Sequence, residues 1–323
     1  FLGSYLADGL LELGHEVIGC DSLVKGDIDN VPTEMIFHKA DCLDFNAMID
    51  LSKDADVVYH CAALPYEGLS VFSPFMISQS VYGASVSVIT ASIKNNVKRL
   101  VYMSSMARYG CNEIPFREEM IPKPQDPYGI SKYATELVLR NLCAAHGMEY
   151  VIAIPHNIYG PRQRYDDPYH NVVAIMVNLM LQGKQPLIYG DGSQKRCFSF
   201  VKDIVGILIK LGFEEAAEGE IFNIGPDDEF ISINELAQEI AKLLHFDLNP
   251  IYLENRPMEV KFANCSADKI RKVFGFRRNT PLRKGLQEMI EYISSKGPKP
   301  FDYHLKVELP SEKCPRSWIE KMF

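Results

Sequence analysis

The chain has 323 residues, of which 47% are hydrophobic and 24% charged, and its formal net charge is −8. This is the composition of a soluble globular protein large enough for two lobes around a sizeable core. The acidic balance and the lack of a Lys/Arg cluster argue against a nucleic-acid-binding protein. No apolar run reaches the length of a membrane span, so we also expect no membrane contact.

Eight cysteines are scattered along the chain without a C-x-x-C pair or a Cys/His cluster. The sequence therefore predicts no zinc or other metal site. Scattered thiols without a disulfide framework are typical of a reducing compartment, so we expect a cytoplasmic protein.

The first half of the chain alternates helices with short apolar strands. "GSYLADGLLELG" has apolar residues at helical spacing and ends at Gly14, and "HEVIGCD" then predicts a buried strand. The pattern recurs in "ADVVYHCAA", "KRLVYMSS" and "EYVIAIPHN", with helices predicted at roughly 46–53, 74–96 and 129–146. Such alternation gives parallel strands joined by right-handed crossovers, so we predict an α/β fold with a Rossmann-type doubly wound parallel sheet.

After about residue 160 the pattern loosens, because Pro, Gly and Asp interrupt "YGPRQRYDDPYHN" and "LIYGDGSQKR". We predict a first domain over residues 1–160, to which part of 197–225 returns. A smaller mixed α/β lobe is predicted over 161–296, and a Pro-rich C-terminal tail, 297–323, is expected to lie extended on the surface.

A dinucleotide site is predicted where the first strands end. Asp21 ends the strand that follows "FLGSYL", 18 residues after Gly3, near the spacing of about 20 that such sites show. An acid there bonds the ribose hydroxyls and repels a 2′-phosphate, which favours NAD over NADP. Phe1, Leu2 and Gly3 would meet the pyrophosphate at a helix N-terminus, and Asp41 is a candidate for the adenine amino group.

One alternative to this assignment remains open. Gly3 could be a helix-packing glycine and Asp21 a turn residue. Under the favoured interpretation Gly3 is the last glycine of a G-x-x-G-x-x-G turn, and we then expect about ten more residues, with the first strand, upstream of Phe1 in the natural protein.

A second set of polar residues follows the strand "RLVYM", which delivers Ser104 and Ser105 to the ligand-binding edge of the sheet. Tyr128 and Lys132 in "QDPYGISKYATE" are one helical turn apart and share a face. A nearby ammonium and a cationic nicotinamide ring would favour the phenolate, which makes Tyr128 a possible base near neutral pH. Ser105 would hydrogen-bond the reacting oxygen; alternatively, the two serines only cap a loop.

The Y-x-x-x-K spacing alone is a weak signal, because "YISSK" repeats it at Tyr292 and Lys296. That second pair is interpreted as part of a solvated helix. Tyr128 differs because Ser105 lies at a strand end 23 residues before it, and because Asp126 and Pro127 suit the N-cap and first position of a helix.

Together these residues resemble the extended short-chain dehydrogenase/reductase family, in its nucleotide-sugar epimerase/dehydratase branch. The matching pieces span about residues 1 to 290: "FLGSYL", "VIGCD", "DVVYHCAA", "VYMSSMARYG", "DPYGISKYATE", "HNIYGPRQ", "IYGDGSQKR" and "FNIG". The resemblance implies a tightly held NAD, a UDP-sugar substrate bound by the C-terminal lobe, and a homodimer.

Residue by residue, the resemblance places the catalytic Ser, Tyr and Lys at Ser105, Tyr128 and Lys132. It implies contacts with the nucleotide diphosphate from Asn157, Arg196 and Arg256 ("ENRPMEV"). It further implies that the cofactor is bordered by Cys42, Cys61, Ala62, Ala63 and Ser80, and also by Tyr128 and by Lys132, which would hold the nicotinamide ribose. The substrate would be bordered by Ser105, Glu67, Met106, Arg162 and Val172.

One departure from the family separates the possible reactions. Its 4,6-dehydratases carry an Asp-Glu pair after the catalytic Ser/Thr, and its UDP-glucuronate decarboxylases carry a glutamate at the second of those positions. Met106 and Ala107 stand there in this chain, and neither can transfer a proton. The expected function is therefore NAD-dependent 4-epimerisation of a UDP-sugar. The alternatives are a dehydratase, for example one forming a 5,6-alkene, with an acid such as Glu67, and a non-catalytic NAD-binding protein.

Overall fold

The N-terminal lobe contains parallel strands with helices on both faces, as the sequence predicts. A computed structural model describes all residues, 1–323. The strands of this lobe are β1 Ile18–Asp21, β2 Ile36–Lys39, β3 Val57–His60, β4 Arg99–Met103, β5 Glu149–Pro155 and β10 Ile221–Ile224. They pair in the order β10-β5-β4-β3 and, separately, β1-β2, and every pair is parallel. An upstream first strand stays a prediction.

The helices of this lobe follow the predicted crossovers. They are α1 Leu2–Glu12, α2 Phe45–Leu51, α3 Glu67–Ser70, α4 Pro74–Ser78, α5 Ala84–Lys94, α6 Pro127–His146, α8 Val201–Phe213 and α10 Asp268–Phe274. Asp126 caps α6 by accepting a hydrogen bond from the backbone N–H of Gly129 at 2.9 Å, and Pro127 is its first residue. The predicted start of this helix is thus confirmed. Gly147 ends it with φ +77°, a conformation that favours glycine.

Strand β4 explains why the run before the two serines is so apolar. All five of its residues are buried. Leu100 and Tyr102 pack among residues of α2, α5 and α6, whereas Val101 and Met103 pack among residues of α1 and α8. Successive side chains point to opposite faces of a sheet, and both faces are covered here. The strand therefore runs through the core and places its carboxyl end at a fixed point.

One helical run corrects an expectation from the sequence. Residues 74–94 form a run of 21 residues whose most apolar 18-residue window has a mean hydropathy of 1.2, so the run is long and apolar enough to cross a membrane by length and composition alone. It consists of α4, a π-helical turn at Gln79–Gly83, and α5. Of its most apolar window, 44% is buried inside the protein, where α5 packs on α2 and α6.

The smaller lobe has its own core, formed by α7, α9 and α11 with strand β7. Its elements are β6 Ile158–Tyr159, α7 Val172–Leu181, β7 Leu187–Tyr189, β8 Lys195–Arg196, β9 Ser199–Phe200, β11 Ile231–Ser232, α9 Ile233–Leu244, β12 Ile251–Leu253, β13 Phe262–Ala263 and α11 Leu282–Lys296. Within 197–225, α8 packs on α1 and β10 pairs with β5, so this part of the chain lies in the first lobe.

The C-terminal segment, residues 297–323, does not lie simply on the surface as the sequence suggested. It contains a short helix, α12 Arg316–Ile319. Leu305, Cys314, Trp318 and Phe323 are buried in one apolar cluster with residues of α3 and with Tyr128. The expectation failed because Pro residues and charges dominate the segment, while its apolar anchors are spaced too irregularly to show a periodic pattern.

Candidate active site

A single cleft of about 1820 Å³ runs between the lobes and along the carboxyl ends of the strands. Every residue predicted to bind or react borders it. The cleft is bordered by much of both lobes, so lining it does not by itself assign a role. The hydrogen bonds and ion pairs of each side chain are the better guide.

The three predicted catalytic residues meet at the end of β4. Ser105 follows this strand by two residues, and its Oγ accepts a hydrogen bond from the backbone N–H of Ala107 at 3.2 Å. Lys132 is buried, and its Nζ donates to the backbone oxygen of Met103 at 2.7 Å. The same Nζ lies 5.9 Å from the ring centroid of Tyr128. The end of β4 and one face of α6 thus present a hydroxyl, a phenol and an ammonium group to the same part of the cleft.

The pKa values of Tyr128 and Lys132 are both shifted by burial in the chain alone. Burial raises the pKa of Tyr128, and hydrogen bonding to the Ser105 hydroxyl opposes the shift only in part. The chain alone therefore does not make Tyr128 a base near neutral pH, and that expectation counted on a positive nicotinamide ring as well as on Lys132. Burial also lowers the pKa of Lys132 to about 8, so this side chain keeps its charge at neutral pH.

Beneath the serines lies a buried polar network that sequence reasoning missed. Ser104 Oγ donates to the Glu136 carboxylate, and the other oxygen of Glu136 lies 3.2 Å from Arg108 Nη2. All three side chains are buried. The sequence gives no sign that Glu136 in "SKYATE" and Arg108 in "SMAR" form an ion pair, because only the fold brings this turn of α6 under the end of β4. The network fixes the backbone from which Ser105 projects.

Met106 and Ala107 form a single 3₁₀ turn with Arg108 after Ser105. Met106 borders the cleft and Ala107 is buried. Neither side chain carries a titratable group, so the two positions at which an acid is expected for dehydration or decarboxylation are apolar in this chain.

The cofactor end of the cleft is formed by the start of α1 and the ends of β1 and β2. Phe1, Leu2 and Gly3 form the first turn of α1, and a Cβ placed on Gly3 would meet no atom within 4 Å. Asp21 ends β1, and one oxygen of its carboxylate accepts from the Leu23 N–H at 2.7 Å. A helix N-terminus with open space beside it and a carboxylate at the next strand end fit a pyrophosphate and a ribose.

The other predicted cofactor residues lie on the same side of the sheet. Ser80 Oγ accepts from the backbone N–H of Leu64 at 3.0 Å and so holds the loop that contains Cys61, Ala62 and Ala63. Burial raises the pKa of the Cys61 thiol to about 12. Asp41 and Cys42 follow β2 and also border the cleft.

At the substrate end, two predicted residues lie at backbone turns. Asn157 has φ +44°, and its amide donates to the backbone oxygen of Cys197 at 2.7 Å. Val172 is the first residue of α7, which Asn171 caps. Arg162, also predicted at the substrate, is paired with Asp8 at 2.5 Å and so contacts α1 near the cofactor end.

Arg196 and Arg256 meet a pair of carboxylates. Arg256 Nη2 lies 2.5 Å from Glu259 Oε1, and Arg196 Nη2 lies 3.9 Å from the same oxygen. Glu67 is accessible, but the surface that it exposes faces the cleft. This enclosure raises the pKa of the Glu67 carboxyl group, although the positive charges of Arg196 and Arg256 act to lower it. Two guanidinium groups in an enclosed cleft are suited to bind a diphosphate.

The comparisons with known proteins agree with this geometry. The model of the NAD dependent epimerase/dehydratase family matches residues 1–225. A UDP-N-acetyl-alpha-D-glucosaminuronate decarboxylase of Bacillus cytotoxicus is 30% identical over 312 residues, 91% of this chain and 94% of that protein. A putative UDP-glucose 4-epimerase of Methanocaldococcus jannaschii is 31% identical over 301 residues, 91% of this chain and 96% of that protein.

Solved structures give the same result. The Thermotoga maritima UDP-glucose 4-epimerase with UDP-glucose has a TM-score of 0.86 and 29% identity, covering 92% of this chain and 96% of that one. The Thermus thermophilus UDP-glucose 4-epimerase complex with NAD has a TM-score of 0.84 and 26% identity, covering 91% and 96%. The predicted fold and the predicted cofactor, NAD, are confirmed. This chain is a member of the NAD-dependent epimerase/dehydratase family.

Proposed function

We propose that the protein catalyses NAD-dependent 4-epimerisation of a UDP-sugar. The observation that carries this proposal is the pairing of a complete Ser105, Tyr128 and Lys132 group with apolar residues at the next two positions, Met106 and Ala107. Removal of a hydride from C4 and its return need the first group and no further acid. Elimination of water needs a proton donor that these two positions lack.

In this reaction the ionised side chain of Tyr128 takes the proton of the sugar 4-hydroxyl, becomes a phenol, and later returns that proton to the oxygen. The Ser105 hydroxyl donates a hydrogen bond to the same oxygen. Bound NAD supplies the hydride acceptor at C4. Lys132, held by its hydrogen bond to the Met103 carbonyl, keeps a positive charge near the phenol and stabilises its ionised form.

A second candidate, a nucleotide-sugar dehydratase, is favoured by the placement of Glu67. The Ser70 hydroxyl donates to the Glu67 backbone oxygen at 2.6 Å and lies 3.3 Å from Asp126 Oδ1, the cap of α6. The first turn of α3 is therefore fixed against the start of the helix that carries Tyr128. Enclosure in the cleft raises the pKa of Glu67, so this carboxyl group keeps a proton to higher pH and is suited to protonate a leaving hydroxyl.

Proton NMR in D₂O on the NAD-loaded protein distinguishes the candidates. UDP-glucose, UDP-N-acetylglucosamine and UDP-glucuronate would be offered in turn. We expect the C4 isomer of one of them to appear with no deuterium in the ring, because the hydride stays within the site. A keto or alkene signal with deuterium at C5 or C6 would show that the reaction is dehydration and not epimerisation. Loss of the carboxylate of UDP-glucuronate would show that it is decarboxylation.

The Glu67→Gln variant separates the two mechanisms on the same chain. Epimerisation should survive this change within about tenfold, since Gln keeps the shape and neutralises one charge beside the arginines. Dehydration through Glu67 would fall by about 10²-fold or more, the usual contribution of a positioned acid.

We further propose that the protein is a cytoplasmic homodimer. All eight cysteines are free, as a reducing compartment requires. Adjacent helices α4 to α6 and the turn between them carry exposed apolar side chains, which a second copy would cover: Phe75, Tyr82, Ile130 and Leu137. Sedimentation of the holoenzyme is expected to give twice the chain mass, and a monomer mass would refute the dimer.

A further inference from the structure

The C-terminal segment, residues 297–323, is bound to both lobes. Its start is held in the smaller lobe by Asn178, whose amide donates to the Lys299 carbonyl at 2.9 Å and accepts from the Lys299 N–H at 3.0 Å. Farther along, the Glu308 carboxylate accepts from the backbone N–H groups of Phe75 and Met76, each at 3.0 Å. Glu308 thus caps α4 of the first lobe, and the segment crosses the substrate end of the cleft.

The segment then returns to the smaller lobe and places Trp318 in the cleft wall. The hydroxyls of Ser317 and Tyr189 are 2.5 Å apart. A Cβ on Gly68 would lie 3.4 Å from Trp318 Cη2 and 3.3 Å from Arg256 Nη1. The indole ring and the guanidinium group therefore lie over the same point of α3, and Arg256 also lies 4.7 Å from the ring centroid of Tyr189.

Trp318 is held rigidly and is only 4% exposed. Its ring lies 5.5 Å from the Tyr169 ring and 6.2 Å from the Phe72 ring, both at steep angles. The indole Nε1 and the Arg256 Nε are buried without a hydrogen-bond partner. A buried donor left unpaired destabilises the folded state, so neither group is positioned for stability alone.

We propose that Trp318 is a positioning residue of the substrate site, and that the C-terminal segment is part of that site. The indole ring confines the Arg256 guanidinium over Gly68. Because α3 is fixed to the cap of α6 through Ser70, Arg256 then lies at a set place relative to Tyr128. The proposal rests on the proposed function for the identity of the ligand, a nucleoside-diphosphate sugar.

A neighbouring carboxylate explains why a large ring is needed beside Arg256. Glu259 Oε1 lies 2.5 Å from Arg256 Nη2 and attracts it toward the smaller lobe. Arg256 Nη1 lies over Gly68 and Nε has no partner. Without the indole ring the guanidinium would be free to turn a second N–H onto the carboxylate that already holds Nη2. The diphosphate would then lose a bidentate partner, and substrate binding would weaken while the chemistry at Tyr128 stays intact.

Trp318 is the only tryptophan of the chain, so intrinsic fluorescence reports on this site alone. We expect UDP, which cannot react, to change the tryptophan emission of the NAD-loaded protein with a saturable dependence. Excitation at the red edge of the indole band avoids absorption by uridine. If calorimetry shows UDP bound while the emission stays constant, the proposal is wrong. A response to another nucleoside diphosphate but not to UDP would support the role of Trp318 and correct the proposed substrate instead.

Variants then separate positioning from stability. Trp318→Ala is expected to raise the KM for the UDP-sugar about tenfold or more with little change in kcat, and Trp318→Phe to restore most of the affinity. Gly68→Ala, which leaves the segment untouched but presses a Cβ on both Trp318 and Arg256, should raise KM as well. Ile319→Ala is the matched control on the exposed side of α12. An unchanged KM in both Trp318→Ala and Gly68→Ala would overturn the proposal.

Discussion

Replacing Tyr128 by phenylalanine is expected to lower kcat by about 10²–10⁴-fold, the usual contribution of a positioned acid–base group. The phenol is the group of the catalytic trio that can carry the 4-hydroxyl proton, since Lys132 is occupied by the Met103 carbonyl at 2.7 Å. NAD content should be unchanged, because the residues expected to hold the pyrophosphate and ribose lie on α1 and β1. Turnover of the UDP-sugar and NAD released on denaturation measure the two quantities.

The chain offers a matched control for this substitution. Tyr292 stands four residues before Lys296, the same spacing as the catalytic pair. Lys296 is exposed and lies 3.7 Å from Asp29, whereas the Tyr292 ring is partly buried against the core of the smaller lobe, 6.3 Å from the Tyr165 ring. Only the lysine of this pair is therefore solvated as the sequence predicts. Tyr292→Phe should keep full activity. Equal losses in the two variants, or full activity in Tyr128→Phe, would contradict the assigned role of Tyr128.

The sequence predicts the parts of the site that depend on local patterns. The alternation of apolar strands and helices predicts a doubly wound sheet, and the end of β4 then has to lie at the ligand-binding edge. The N-cap at Asp126 and the one-turn spacing of Tyr128 and Lys132 are local as well. These features were predictable because each depends on a few neighbouring residues and one regular geometry.

The parts that could not be predicted depend on contacts between distant segments. The buried partner of Ser104 lies 32 residues away on α6. Trp318 reaches Gly68 across 250 positions of the chain, with only irregular apolar anchors between them. The burial that raises the pKa of Tyr128 has no local signal either, because Tyr128 lies in one apolar cluster with residues of α3 and of the C-terminal segment.

The buried pair beneath the active site gives the largest expected effect on stability. Glu136→Leu should lower the free energy of unfolding by about 3–5 kcal/mol, because it leaves the Arg108 guanidinium buried without a counter-charge. Arg108 depends on this one carboxylate: its Nε and Nη1 already lack hydrogen-bond partners. Urea unfolding of the variant and the parent protein measures the difference.

A second substitution decides whether the pair stabilises the protein or only avoids a penalty. In Glu136→Leu/Arg108→Met both charges are replaced by apolar side chains, and we expect most of the lost stability to return. Activity should not return with it, since Ser104 Oγ loses its acceptor in both variants and the backbone before Ser105 loses that restraint. A double variant that is both stable and fully active would mean that the network serves folding alone. A stable but slow double variant would show that Glu136 supports activity by holding the end of β4 in place.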